Sequence, residues 1–190
     1  MIKLVGISGS LRAGSYNSAL LRSAAQLLDG ETAQLEIASI RGIPLYDGDL
    51  EASEGIPQTV RDLKGRILAC DGLLLATPEY NNGVPGVLKN AIDWLSRPSS
   101  DIAKVFGGRS VAVVGATPGG FGTLLAQSAW LPVLRTLGTR VWFGGRLLVP
   151  RAHQSFNESG ELVNDAVRNQ LRDFLHGFVQ FVEANSRSRS

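Results

Sequence analysis

Short apolar runs alternate along the whole chain with longer stretches whose apolar residues recur at helical spacing. Ile2, Leu4, Val5 and Ile7 read as a buried strand over about Ile2–Ser8; Leu20, Leu21, Ala24, Ala25 and Leu28 follow at helical spacing within about Ser15–Leu28. The pattern then predicts a strand over Gln34–Ala38 and a helix from Pro57, placed near its first turn, to Cys70. A continuous Leu-Leu-Leu-Ala strand over Gly72–Thr77 and a helix over Val84–Leu95 come next. Beyond these are a strand over Ser110–Ala116, a helix over Thr123–Leu137 with a kink at Pro132, and a strand over Arg140–Leu148 interrupted by Gly144-Gly145. The last helix spans Leu162–Val182, with Val163, Val167, Leu171, Phe174, Phe178 and Val182 on one stripe. The stretch with Pro44, Asp47, Gly48, Asp49 and Pro57 reads as a loop.

Strand followed by helix, five times over with short apolar strands, implies a parallel sheet covered on both faces. Right-handed crossovers leave few topologies. The chain is therefore expected to be an α/β protein, a doubly wound five-stranded parallel sheet of flavodoxin-like order 2-1-3-4-5, with a ligand beyond the carboxyl ends of strands 1, 3 and 4. That order singles out three loops, 9–17, 77–83 and 117–122. No internal repeat or linker is visible, so residues 1–185 are expected to form a single domain and 186–190 a disordered tail.

With 44% hydrophobic and 19% charged residues the chain is globular, and a net charge of +2 gives no argument for nucleic acid or a membrane surface as partner. A single cysteine, Cys70, excludes an internal disulfide and a Cys-rich metal site. The start of the chain lacks a signal-peptide pattern and no run approaches about 18 apolar residues, so the cytoplasm is the expected location.

The first loop, Gly9-Ser-Leu-Arg-Ala-Gly-Ser-Tyr-Asn17, joins a strand to a helix N-terminus, whose unpaired N–H groups and positive dipole end suit an anion. Ser8, Ser10, Ser15 and Asn17 can add hydrogen bonds and Arg12 a charged fork of donors. The loop has neither the G-x-G-x-x-G spacing nor the Gly-Lys-Ser/Thr of a triphosphate loop, and a hydroxyl-lined loop without lysine fits a terminal monophosphate, as on FMN. An ordinary polar loop with Ser15 as helix N-cap is the alternative. The second loop, Thr77-Pro-Glu-Tyr-Asn-Asn-Gly-Val-Pro-Gly86, can present backbone groups to a flat heteroaromatic edge with Tyr80 bordering the ring; the alternative is a decorated turn capping the next helix. In the third, Ala116-Thr-Pro-Gly-Gly-Phe-Gly122, Gly119-Gly120 permits close approach of a ligand and positive φ, and its N–H groups can meet the charge of a reduced flavin; a common Gly-rich turn is the alternative.

These loops resemble those of the NADPH-dependent FMN reductase family, which includes quinone, chromate and azo-dye reductases. The matching pieces are Gly9-Ser10-Leu11-Arg12 with Ser15 and Asn17, Thr77-Pro78-Glu79-Tyr80-Asn81, Pro85-Gly86-Val87-Leu88-Lys89-Asn90-Ala91-Ile92-Asp93-Trp94, Gly119-Gly120-Phe121-Gly122, and Phe156 with Gly160 and Leu162. They span nearly the whole length, and the Pro-Glu-Tyr-Asn element joined to the Lys-Asn-Ala-Ile-Asp-Trp helix is the most specific part. The resemblance implies that Ser10, Arg12, Ser15 and Asn17 hold the phosphate of FMN. It implies that Pro78, Glu79, Tyr80 and Asn81 line the flavin ring and that the loop from Thr117 through Gly119 and Gly120 closes the site.

The resemblance further implies hydride transfer from NADPH or NADH to the flavin. Two electrons then pass to a small-molecule acceptor (a quinone, chromate, an azo dye or free flavin) in a ping-pong cycle. The flavin would do the chemistry, so neither a side-chain nucleophile nor an obligatory general acid is expected. A flavodoxin-type electron carrier or a flavin-binding sensor is the alternative. Family members are dimers or tetramers with the flavin near a subunit boundary. Leu124, Leu125, Trp130 and Leu131 crowd one helix with more apolar surface than one stripe needs, which points to a homodimer or homotetramer. Lys89, Asn90 and Asp93 read as helix anchoring, and Trp94, Trp130 and Trp142 as core or interface residues. His153 and His176 read as surface or packing residues with no metal site, and the acidic residues Asp47, Asp49, Glu51 and Glu54 as a solvated loop.

Overall fold

The apolar runs become strands, the central three of them buried on both sides. β1 (Ile2–Ser8), β2 (Ala33–Ala38), β3 (Gly72–Ala76), β4 (Ser110–Ala116) and the short β5 (Arg140–Val141) pair in parallel in the order β2-β1-β3-β4-β5. A sixth strand, β6 (Leu148–Val149), pairs with the far end of β4. The helices are α1 (Tyr16–Leu28), α2 (Gly48–Glu54), α3 (Gln58–Leu68), α4 (Gly86–Leu95), α5 (Ile102–Val105), α6 (Leu124–Thr136) and α7 (Asp165–Arg187). This computed structural model describes residues 1–28, 30 and 32–187. The expected tail at 186–190 is partly helical, since α7 runs to Arg187, and 188–190 lie outside the described residues.

Alternate strand residues enter two separate cores, as the two-residue period of a strand requires. Leu4, Leu74, Ala112 and Val114 pack against α1 and α7, through Leu20, Leu21, Leu171, Leu175 and Phe178. Val5, Ile7, Leu73, Leu75 and Val111 pack on the opposite face against α3, α4 and α6, through Leu63, Ile67, Leu88, Ile92, Trp94, Trp130 and Leu134. No helix among the described residues is long and apolar enough to cross a membrane.

Four expectations need correction. The predicted strand Arg140–Leu148 exists only at its ends. Trp142 stacks edge-on against Phe174 of α7, 4.7 Å between ring centroids, and a Cβ on Gly144 would stand 2.5 Å from the indole Nε1. The chain therefore leaves the sheet after Val141 and returns as β6, with Gly115 opposite Leu148 and Ala116 opposite Val149. The acidic loop contains α2. Asp47 caps it by accepting from Asp49 N–H at 2.9 Å, Asp49 and Glu51 lie in its first turn, and Gly55 ends it at φ 76°. Residues Ser99–Val105, left without an element by the apolar pattern, form a 3-10 turn and α5. Finally, α7 begins at Asp165, so Val163 lies outside the helix and is exposed rather than on its buried stripe. Pro132 lies within α6 without ending it.

Candidate functional site

Loops after β1, β3 and β4 meet at the carboxyl end of the sheet. Gly9 joins the first to the second. Its N–H donates to Ala76 O at 2.8 Å, and a Cβ there would stand 2.8 Å from Pro78 and 2.9 Å from Pro85, so only glycine permits this approach. In the same loop Ser8 Oγ accepts from Ser10 N–H at 3.3 Å and from Ser18 Oγ at 3.0 Å. Ser15 is the N-cap of α1: its hydroxyl accepts from Ser18 N–H at 3.2 Å and its carbonyl from Ala19 N–H at 2.9 Å. The capping alternative thus holds for Ser15, whose hydroxyl hydrogen still leaves it one donor.

Asn17 is buried, and its side chain spans to β4. Nδ2 donates to Ala116 O at 2.9 Å and Oδ1 accepts from Ala116 N–H at 3.0 Å. What Asn17 offers an anion is therefore its backbone N–H in the first turn of α1, and its amide serves the scaffold. Ser10 is half-buried and Arg12 exposed, and the Arg12 guanidinium has no hydrogen-bond or ion-pair partner among the described residues. A cleft of about 210 Å³ beside it is lined by Ser8, Ser10, Arg12, Ser18, Ser39 and Arg41 among others, with no acidic side chain. The structure adds Arg41, which donates from Nη2 to Leu11 O at 2.5 Å and so braces this loop from the end of β2. Only the strand order brings Arg41 here; its signal in the sequence is its place just after strand 2.

The second loop is a tight turn. Asn81 and Asn82 have φ of 51° and 61°, Gly83 N–H donates to Tyr80 O at 3.1 Å, and Tyr80 pairs with Gly83 as an isolated bridge. Two consecutive left-handed residues define a type I′ turn, and asparagine tolerates that conformation. The Asn-Asn-Gly run carries this signal in the sequence. Pro78 is buried, while Tyr80 stands half-exposed at the rim. Glu79 turns toward α6, where Oε2 accepts from Leu125 N–H at 2.8 Å and Ala126 N–H at 3.0 Å.

The third loop is held from behind by the returning chain. Thr117 N–H donates to Val149 O at 3.0 Å, Ala152 N–H to Thr117 O at 2.9 Å, and Arg151 N–H to Gly119 O at 2.9 Å. The split of the last strand is thus what supports this loop. Gly119 and Gly120 lie at the surface, and a Cβ on Gly120 would meet nothing within 4 Å, so the space before them is open to a ligand. The expected positive φ falls instead on Gly122 (60°) and on fully buried Thr123 (68°).

Trp130 is a core residue, fully buried, with Nε1 donating to Thr77 Oγ1 at 3.0 Å, and the expected interface role does not apply to it. Asn90 anchors as expected: Oδ1 accepts from Tyr46 N–H and Nδ2 donates to Pro44 O, both at 2.8 Å. The hydrogen bond from the Tyr46 hydroxyl to Glu51 pushes that phenol up. Burial pushes the Cys70 thiol up. Both lie outside the crevice. A larger groove of about 750 Å³, lined by Lys3, Gln34, Arg61 and Cys70 among others, lies toward the amino ends of β1 and β2, away from the switch-point loops.

These loops and their order match a known family. The family model of NADPH-dependent FMN reductases covers residues 2–154. The chain belongs to the NADPH-dependent FMN reductase family. Among curated relatives, it is 41% identical to the NAD(P)H-dependent FMN reductase PA1204 of Pseudomonas aeruginosa over 95% of both chains. It is 33% identical to a 2-hydroxy-1,4-benzoquinone reductase of Burkholderia sp over 95% of this chain and 96% of the relative. Among solved structures, FerB, a flavoenzyme NAD(P)H:(acceptor) oxidoreductase from Paracoccus denitrificans, superposes with TM-score 0.86 at 31% identity, covering 97% of this chain and 99% of that one. As a member of this family the chain is an NAD(P)H-dependent oxidoreductase of the FMN type. The crevice fits such a group: a guanidinium without a partner among the described residues and a helix N-terminus at one end, and exposed glycines and a proline-stiffened turn at the other.

Proposed function

We propose that the crevice between the three loops holds FMN with its phosphate at residues 9–17 and its ring between 77–83 and 117–122, and that the enzyme carries reducing equivalents from NADPH or NADH to a quinone. Convergence of the loops carries this reading, since Gly9 packs on Pro78 and Pro85 while Asn17 and Glu79 tie the same rim to β4 and α6. FMN, when bound, would supply two-electron redox chemistry between a nicotinamide and an acceptor. Arg12, Ser10, the Ser15 hydroxyl and the first N–H groups of α1 hold the phosphate. Pro78, Glu79, Tyr80 and Asn81 build the turn that borders the ring, with Tyr80 at its exposed rim. Thr117, Gly119 and Gly120 would hold the ring from the third loop, where exposed backbone N–H groups supply donors for negative charge.

A quinone is favoured over chromate, an azo dye or free flavin because a relative at 33% identity is named a 2-hydroxy-1,4-benzoquinone reductase and another, from Escherichia coli, a quinone reductase. We also propose that the chain works in the cytoplasm, as one domain, and as a homodimer or homotetramer. Titration of the flavin-free protein tests the site: FMN should bind more tightly than riboflavin, and equal affinity for the two would remove the phosphate site. Anaerobic mixing of the flavin-loaded protein with NADPH should bleach the flavin within the turnover time, which a carrier or sensor would not do.

A further inference from the structure

Helix α6 lacks a cap of its own. The residue before it, Thr123, has a left-handed backbone (φ 68°, ψ 27°) and makes no side-chain capping bond. Its hydroxyl is turned inward, where it accepts from Gln127 Nε2 at 3.2 Å, and a Cβ on Gly115 would stand 1.9 Å from it. The first-turn N–H groups of α6 are capped from elsewhere. Oε2 of Glu79, 46 residues before Leu125, accepts from Leu125 and Ala126. A carboxylate on two helix N-terminal amides combines charge-assisted hydrogen bonds with a favourable dipole. The same two segments are joined a second time through Trp130 Nε1 and Thr77 Oγ1. The turn at 77–83 and the loop at 117–122, which runs into α6, are therefore not independent walls.

We infer that Glu79 is a positioning residue that fastens α6 to the second loop and thereby sets the width of the slot between Pro78–Asn81 and Thr117–Gly120. The clamp itself is a property of the folded chain; its effect on the flavin rests on the FMN reading above. Reach and charge both matter in this arrangement, because one charged oxygen must span to two amides. Glutamine keeps an oxygen at that distance, aspartate keeps the charge but is one methylene short, and alanine loses both.

The experiment compares Glu79→Gln, Glu79→Asp and Glu79→Ala with the parent. Hydrogen exchange of the Leu125 and Ala126 amides is measured in the flavin-free protein, and dissociation constants are measured for FMN and riboflavin. In the Ala and Asp variants both amides should exchange at least about tenfold faster, the scale of a lost charged hydrogen bond. Both flavins should weaken by a common factor, since the slot grips the ring they share. The Gln variant keeps the contact but gives up the charge, so it should fall between the parent and the Ala variant on each measure. Unchanged exchange at Leu125 and Ala126 in the Ala variant overturns the clamp. So does an Asp variant that behaves as the parent while Gln fails, since charge would then act without contact. Weakening of FMN alone would move Glu79 to the phosphate end and overturn the slot. If the parent binds neither flavin, the FMN reading fails, and the exchange rates still decide the clamp.

Discussion

Arg12, in the first loop, and Asn17, five residues on in the first turn of α1, do different work. The Arg12 guanidinium is exposed and unpartnered among the described residues, whereas the Asn17 amide is buried and satisfied at both ends by Ala116. Arg12→Ala should therefore cost FMN about 1.5–3 kcal/mol of binding, roughly 10- to 150-fold in Kd, and leave riboflavin unchanged. Fluorescence quenching measures both, and an unchanged FMN value would leave Arg12 as surface charge. Residue type and loop position made Arg12 legible from the chain alone. The role of Asn17 was not legible, because its partner on β4 is 99 residues away and an amide serves a ligand or a backbone equally well.

Among elements, the turn between Tyr80 and Gly83 is the most exacting, with left-handed φ at both Asn81 and Asn82. A β-branched residue at the second of these should strain the turn. Asn82→Val should destabilise the flavin-free protein by about 1–2 kcal/mol and weaken FMN and riboflavin together. Asn82→Gly should be neutral or stabilising, since glycine suits that position of a type I′ turn. Thermal denaturation with parallel flavin titrations checks both variants, and a Val variant as stable as the parent would show that the turn relaxes freely. At this scale the long amphipathic helices and buried strands were legible because apolar period reports burial directly. Helix α2 was not, since it buries no residue and shows only as an acidic first turn behind Asp47.

Across the whole molecule, one outer surface is more apolar than a lone chain needs. Leu131 (38% exposed) on α6 and Phe143 (73%) line a groove of about 380 Å³ with Leu124, Trp142, Gln127 and Arg146, and Leu125 (44%) is exposed elsewhere on the same helix. An exposed groove with apolar walls of this kind is commonly covered by a partner surface. Light scattering at micromolar concentration should give at least a dimer mass, and Leu131→Glu should lower it. A monomer with full activity would overturn the homo-oligomer. Trp130, which the sequence pattern groups with this apolar surface, lies in the core instead.

The chain's own pattern was enough for the parallel sheet, its 2-1-3-4-5 order and the three loops at its carboxyl end. Apolar runs that are buried on both faces, together with the handedness of crossovers, leave little else possible. The family's loop residues also stand in plain view along the chain. Only the tertiary structure decided which side chains build the rim and which face the crevice. It divided the last strand because Trp142 docks on α7, and it used the returning β6 to support the loop at 117–122. It gave Glu79 a helix to cap because Thr123, the local candidate, is turned inward. Periodicity records whether a residue is buried; which groups satisfy a buried or terminal polar atom depends on segments that meet only once the chain is folded.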